Sequence, residues 1–397
     1  MRKTEKAEPS AAAPGAAAGP AVSPDRLLWL LTLLALAARA AYVFWTRTEP
    51  PHMDLGSFLP SSLPLIQPFD TSPREPLFVW WLWLLGKLGA GTTAWIRLAT
   101  SLWAAPALLL LFRLADRLLG RGSAWAAVLL YAFLPGQVMS DGVGLRHLIE
   151  TPCLLLLLNT LYDDPALRRR RNWLAAAGTL AALILTRVTY AGSALLLLCA
   201  AGLKARTPRP LLALLPALLL LTGHLRNNYV RHGDAFYSVN LHTYFLANLE
   251  YIGKPGFDAT FDDWQKDAYA PRLNFRRWAF EKHTPWELVR DSAVGMSRGF
   301  WDFYEKVYFS LGLPGALKWL LLALYLLGLG TALASPALRL IPGWMFLLTL
   351  PYAFPGHVFW AGRFFSPFAP LGLLLTVKGG CAAAALAARL KKAERGA

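Results

Sequence analysis

Apolar residues fall in long runs separated by short polar turns, and most of the runs are near the length that crosses a bilayer. In order they are Leu27 to Trp45, Trp95 to Leu114, Ala124 to Met139, Pro152 to Tyr162, Trp173 to Leu185, Ala191 to Leu203, Leu211 to Thr222, Gly315 to Leu333, Leu340 to Phe354 and Phe364 to Val377. Lipid offers backbone N–H and C=O groups no partner, so such runs must be helices. The pattern predicts an all-α polytopic membrane protein with about ten transmembrane helices. Leu77 to Gly89, with Trp80, Trp81 and Trp83, is short and aromatic, which suits a helix lying in the interface or re-entering it.

The pattern also divides the chain. Residues 1–25 are an Ala/Pro/Gly-rich tail expected to be disordered and cytoplasmic. Residues 26–225 form an N-terminal transmembrane module with two polar outer loops, and residues 226–313 are a polar insertion expected to hold a few helices. Residues 314–378 are C-terminal spans, and 379–397 a basic cytoplasmic tail. Basic turns at Arg113–Arg121 and Arg168–Arg171 mark the cytoplasmic side, which leaves both loops and the insertion outside a plasma (inner) membrane. Ala38-Arg39-Ala40 also fits a signal-peptidase site, although the apolar run continues past it to Trp45.

Composition agrees with the pattern. Of 397 residues 55% are hydrophobic and 16% charged, with mean hydropathy +0.38, too little charge for a soluble chain of this size. A net charge of +16 is accounted for by the positive-inside bias and anionic lipid, so no nucleic-acid partner is expected. The three cysteines lie in apolar runs without paired spacing and read as small buried hydrophobes. No phosphate-cradling glycine loop or nucleophile elbow is present, which speaks against ATP-driven transport and direct use of a nucleotide sugar.

The candidate chemistry sits in the outer loops. Asp54 and Glu75 come from the first loop, Asp141 and Glu150 from the second. A carboxylate against an apolar wall can act as a base, although Asp54 could equally cap a short helix. His147 and Glu150, three residues apart, share a helix face, an arrangement open to a divalent metal ion or to a plain helix-terminus pair. Arg74, Arg146, Arg187, Arg226 and Arg363 are outer arginines, suited either to phosphate or to anchoring among lipid headgroups.

The order of these motifs resembles the GT-C membrane glycosyltransferases, closest to the bacterial protein O-mannosyltransferase and aminoarabinose-transferase-like set. The resemblance rests on Asp54 after the first span and Arg74-Glu75-Pro76 before an aromatic helix. It continues with the Ala115–Arg121 turn, the loop from Pro135 to Glu150-Thr151, Leu225-Arg226-Asn227-Asn228-Tyr229, and Arg363-Phe364-Phe365-Ser366-Pro367. Phe58 and Phe364 stand where the family carries tyrosine, which touches substrate hydrogen bonds more than fold. The resemblance implies inverting transfer of a sugar from a polyprenyl-phosphate carrier to a lipid, protein or glycan acceptor at the outer face. Asp54 would be general base. Arg74, Arg146, Arg226 and Arg363 would receive the phosphate, Glu75 would orient Arg74 or the sugar, and Glu150 would hold the acceptor or a metal. A flippase of a lipid-linked glycan and a non-catalytic envelope subunit are the alternatives; a transporter should show two similar halves with interrupted spans, and no such repeat is present.

Overall fold

The computed structural model describes residues 24–49, 55, 69, 71, 74–251, 274–308, 315–358 and 366–396. Asp54, Arg363, Phe58, Phe364 and the tail before residue 24 lie outside these, as do residues 252–273 and 309–314 of the insertion. Among the described residues there is no strand.

Each of the ten apolar runs is mostly helical over its described residues, some as two helices joined at a break and the last from Ser366 onward. The helices are α1 (Pro24–Trp45), α2 (Pro76–Lys87), α3 (Thr93–Ser101), α4 (Ala104–Leu119), α5 (Arg121–Phe133), α6 (Pro135–Gly142), α7 (His147–Asp163) and α8 (Arg170–Thr186). They continue with α9 (Tyr190–Ala205), α10 (Leu215–His232), α11 (Tyr237–Tyr251), α12 (Pro285–Tyr308), α13 (Gly315–Ala334), α14 (Leu340–Thr349) and α15 (Ala369–Gly396). Among the described residues five stretches are long and apolar enough to cross a membrane: Arg26–Trp45, Thr93–Leu119, Arg209–His232, Gly315–Ala334 and Ser366–Arg395. The bent pair α5–α6 makes a sixth if it is one broken span, and α9 and the Leu340–Tyr352 stretch are apolar but shorter. The protein is thus a multi-pass membrane protein by length and composition, and five or six full-length spans among the described residues do not confirm the ten expected.

Three boundaries differ from the sequence reading. The run from Ala124 to Met139 is not continuous: Pro135 cannot donate to the helix and forces Leu134 into an extended conformation, bending the chain by 53° between α5 and α6. The expected break before residue 226 falls inside α10, which instead ends at Gly233, where φ is +69° and the Gly233 N–H closes on the Tyr229 carbonyl at 2.8 Å. The helix of the last span runs on past residue 378, and α15 ends at Gly396.

Helix α1 shows how the sequence divides between lipid and protein. Leu31, Ala35, Arg39 and Val43, four residues apart, form the buried stripe, while Leu27, Trp29, Leu30, Leu33 and Leu34 face outward. Between helices in lipid, close backbone approach takes over from hydrophobic burial as the stabilising device. It is clearest where α13 crosses α15: a Cβ on Gly328 would lie 1.8 Å from the Leu375 carbonyl oxygen, and one on Gly379 1.8 Å from that of Leu324.

Helices α7 and α8 run antiparallel and give the molecule two ends. At one, Asp163 pairs with Arg113 and Arg117, Asp164 accepts the Arg169 N–H at 2.9 Å, and Arg209 donates to the Arg168 carbonyl. The other end, about 20 Å away along α7, holds Glu150, Arg146 and Arg187.

Candidate active site

The site end is built from segments far apart in sequence. Arg74 N–H bonds to the Thr71 carbonyl and Thr71 Oγ1 donates back to the Arg74 carbonyl, both at 2.8 Å, a turn that sets Glu75 at the start of α2. Pro76 at the first helical position fits there because its missing N–H would have no partner in any case. Arg146 immediately precedes α7, Glu150 lies one turn into it, and Arg187 follows α8. Pro152 interrupts the backbone bonding of α7 without ending it, and Thr151 Oγ1 bonds the His147 carbonyl at 2.8 Å in the same turn.

These segments bring together a chain of charges. Arg146 Nη1 donates to Glu75 Oε2 at 3.0 Å and to the Thr186 carbonyl at 3.1 Å. Glu150 Oε1 stands 3.8 Å from Arg146 Nε and 3.5 Å from Arg187 Nε, ion-pair rather than hydrogen-bond distances. Its Oε2 accepts from the Tyr190 hydroxyl at 3.0 Å. Two carboxylates and two guanidinium groups therefore alternate and cancel in charge. Burial pushes the Glu75 carboxyl up, but Arg146, a backbone hydrogen bond, Arg187 and His224 outweigh it and hold the group below its ordinary value. Helix α10 closes this wall: a Cβ on Gly223 would meet the Phe69 ring at 2.6 Å, and neighbouring His224 is buried.

A second network lies beside the first. Arg39, fully buried in α1, bonds Asp141 through Nε at 2.8 Å and Nη2 at 2.7 Å, and caps the carbonyls of Ala35, Ala132 and Tyr131. Gln137, one turn before Asp141, donates to its Oδ1 at 2.8 Å, and His147 Nε2 stands 3.8 Å away. The bend at Pro135 is what turns α6 so that Asp141 reaches α1. Arg97 on α3 ties the same corner together, donating to the Gly142 carbonyl at 2.6 Å and to Thr46 Oγ1 at 2.6 Å. Gly144 (φ +75°) is required there, since a Cβ would sit 2.8 Å from Arg97 Cα.

Of the candidate residues, Glu75, Arg146 and Glu150 meet directly. Arg74 adjoins Glu75 in the chain, whereas Arg226 lies exposed on α10. His147 and Glu150 turn to different partners, Ser140 and Asp141 for the histidine, arginines and Tyr190 for the glutamate, so they do not converge on a common ion position. Trp80 contacts Phe69 edge-on, while Trp81 donates to Thr100 Oγ1 at 3.0 Å and so anchors α2 on α3. Arg39 and Arg97 were not singled out from the sequence. A lone arginine inside an apolar run was the available signal for Arg39, because such a charge is costly unless paired.

An all-helical membrane protein with a buried acid–arginine chain at one end is the class these features define. Over residues 71–226 the sequence matches the family model of the dolichyl-phosphate-mannose-protein mannosyltransferases, which are GT-C-type membrane glycosyltransferases. The matched stretch begins at Thr71 and closes at Arg226, and so spans Glu75, Arg146, Glu150 and Arg187. No curated protein matches the chain.

Proposed function

We propose that the protein is a glycosyltransferase that moves a sugar, mannose first among candidates, from a polyprenyl-phosphate carrier to an acceptor hydroxyl or phosphate at the extracytoplasmic face. The observation that carries the reading is the family match over residues 71–226, because it spans every residue of the charge chain, Glu75, Arg146, Glu150 and Arg187, although it begins after Asp54. In the proposed reaction the acceptor oxygen attacks the anomeric carbon, the bond from that carbon to the carrier phosphate breaks, and configuration inverts. Asp54 takes the acceptor proton, and the electron pair of the broken bond leaves on the polyprenyl phosphate.

A phosphate leaves as an anion without needing a proton, so the site has to supply positive charge. Arg146 and Arg187 meet that need, each held by a carboxylate it approaches at 3.0 to 3.5 Å. Glu75 positions Arg146, and Glu150 with Tyr190 positions Arg187. Buried ion pairs contribute little net stability compared with apolar packing, and charges at membrane depth mark functional sites by default. Arg74, Arg226 and Arg363 would contact the carrier headgroup nearer the surface.

The test is transfer from a labelled polyprenyl-phosphate mannose by membranes carrying the wild type or Asp54→Asn. Loss of transfer with retained donor binding is expected. Full transfer by the variant would remove Asp54 as base, and no transfer by the wild type from any polyprenyl-phosphate sugar would overturn the reading as a whole.

A further inference from the structure

Outside the charge chain, Glu250, His283 and His357 converge so that one donor atom of each lies within 4.8 Å of the others. They come from the end of α11, the turn after the π-helical segment Arg277–Glu281, and the short turn Pro355–His357 ahead of the last helix. Glu250 Oε1 is 2.8 Å from His283 Nε2 and 3.7 Å from His357 Nε2. Asp291 Oδ2, from the second turn of α12, lies beside the group, 3.9 Å from His357 Nε2.

The hydrogen bonds around the cluster decide what it can hold. His283 Nδ1 lies 2.9 Å from the Trp278 carbonyl, and His357 Nδ1 bonds the Phe354 carbonyl. A carbonyl only accepts, so each ring carries a proton on Nδ1, and in the neutral ring Nε2 presents a bare lone pair. Both lone pairs then face a carboxylate oxygen, an arrangement that repels unless a cation lies between them. His357 Nε2 is buried and makes no hydrogen bond among the described residues. The backbone-anchored Nδ1–H is also the usual outer contact of a metal-bound histidine. Trp278 Nε1 fixes the other carboxylate oxygen of Glu250 at 2.6 Å, and Arg290 binds Asp291 Oδ1 at 2.8 Å, which leaves Oδ2 turned inward.

We propose that Glu250, His283 and His357, with Asp291 beside His357, form a structural Zn²⁺ site that fastens α11 and α12 to the segment ahead of α15. Two imidazoles and a carboxylate are a ligand set zinc takes, and tetrahedral bonds of about 2.0 to 2.1 Å place ligand atoms roughly 3.3 Å apart. The separations of 2.8 and 3.7 Å from Glu250 Oε1 to the two imidazole nitrogens bracket that value. The ion's charge also cancels the two carboxylates, whereas protons would have to charge two rings whose centroids are 6.0 Å apart. The site is independent of the sugar-transfer reading.

Tag-free full-length protein in detergent, stripped with a chelator, is to be titrated with Zn²⁺ alone against a chromophoric zinc indicator, with thermal unfolding followed in parallel. One equivalent is expected to bind and to raise the unfolding temperature. His283→Gln and Glu250→Gln are expected to weaken binding at least about 100-fold, while His232→Gln binds like the wild type. If a variant does not fold, the zinc-induced shift of the wild type alone decides. No stoichiometric zinc, equal binding by the ligand variants, or a shift produced by Mg²⁺ or Mn²⁺ and not by Zn²⁺ would overturn the assignment.

Discussion

The two ends of α7 carry the same kinds of charge under opposite conditions. At the Asp163 end, Arg113 and Arg117 pair with one aspartate, and the side chains remain 55%, 29% and 29% exposed. At the other, Arg39 and Asp141 are 0% exposed, Glu150 is 0% exposed beside Arg187 at 5%, and Arg146 and Glu75 are part-buried at 20% and 17%. Exposed pairs gain little, because water and salt screen them and two long side chains must be held still. Buried pairs carry a large desolvation cost, which makes them fragile when one partner is removed. Under the proposed function the basic end serves orientation and solubility, and the buried end chemistry together with the scaffold that holds it.

The sharpest way to break this comparison is Arg39→Met, which strands the Asp141 carboxylate. It should cost about 3 to 5 kcal/mol of stability, and Arg39→Met with Asp141→Leu should recover most of it, both read from unfolding in detergent. Next in size is Gly379→Ala, a packing change that involves no charge. Its Cβ would collide with the Leu324 carbonyl, so a loss of roughly 1 to 3 kcal/mol is expected even though neither end is touched. If Gly379→Ala proves neutral, the α13–α15 crossing is looser than its geometry.

A smaller effect comes from Glu75 and has a defined sign. Its carboxyl titrates below the ordinary value of 4.5 in the folded protein, so its pairing with Arg146 stabilises fully above that value. The contribution disappears only as the pH falls through the lower folded value. The stability difference between wild type and Glu75→Gln should therefore stay flat from pH 8 to about 5 and shrink in more acid solution. A difference that fades between pH 7 and 5 contradicts the pairing. Smallest of all is Arg117→Ala at the exposed end, expected to cost less than about 1 kcal/mol and less still at high salt.

Much of the fold was legible because bilayer thickness imposes length on apolar runs, and those runs are mostly helical where described, although five or six rather than ten pass as full spans there. The bend at Pro135 was legible only in part: the proline is visible, but an apolar run on both sides disguises a break. Glu75, Arg146 and Glu150 could be named from residue type and loop position. That Arg146 touches Glu75, 71 residues away, depends on how α2, α7 and α8 pack, and no local pattern encodes it. Arg39 was hidden by its neighbours, since Ala38-Arg39-Ala40 suggested processing instead of a partner 102 residues on. The Glu250, His283 and His357 cluster has no motif spacing, and only the meeting of three separate segments reveals it.

The central claim is that the buried end, and not the basic end, handles the carrier phosphate. Its most direct test is the rate of transfer from labelled polyprenyl-phosphate mannose by Arg146→Gln and Arg117→Gln, each compared with the wild type at equal amounts of folded protein. The account predicts a fall of about 100-fold or more for Arg146→Gln, of the size seen when one stabilising donor is removed from an anionic transition state, and a change within about twofold for Arg117→Gln. Equal rates for the two variants, or the larger loss at Arg117, would contradict it.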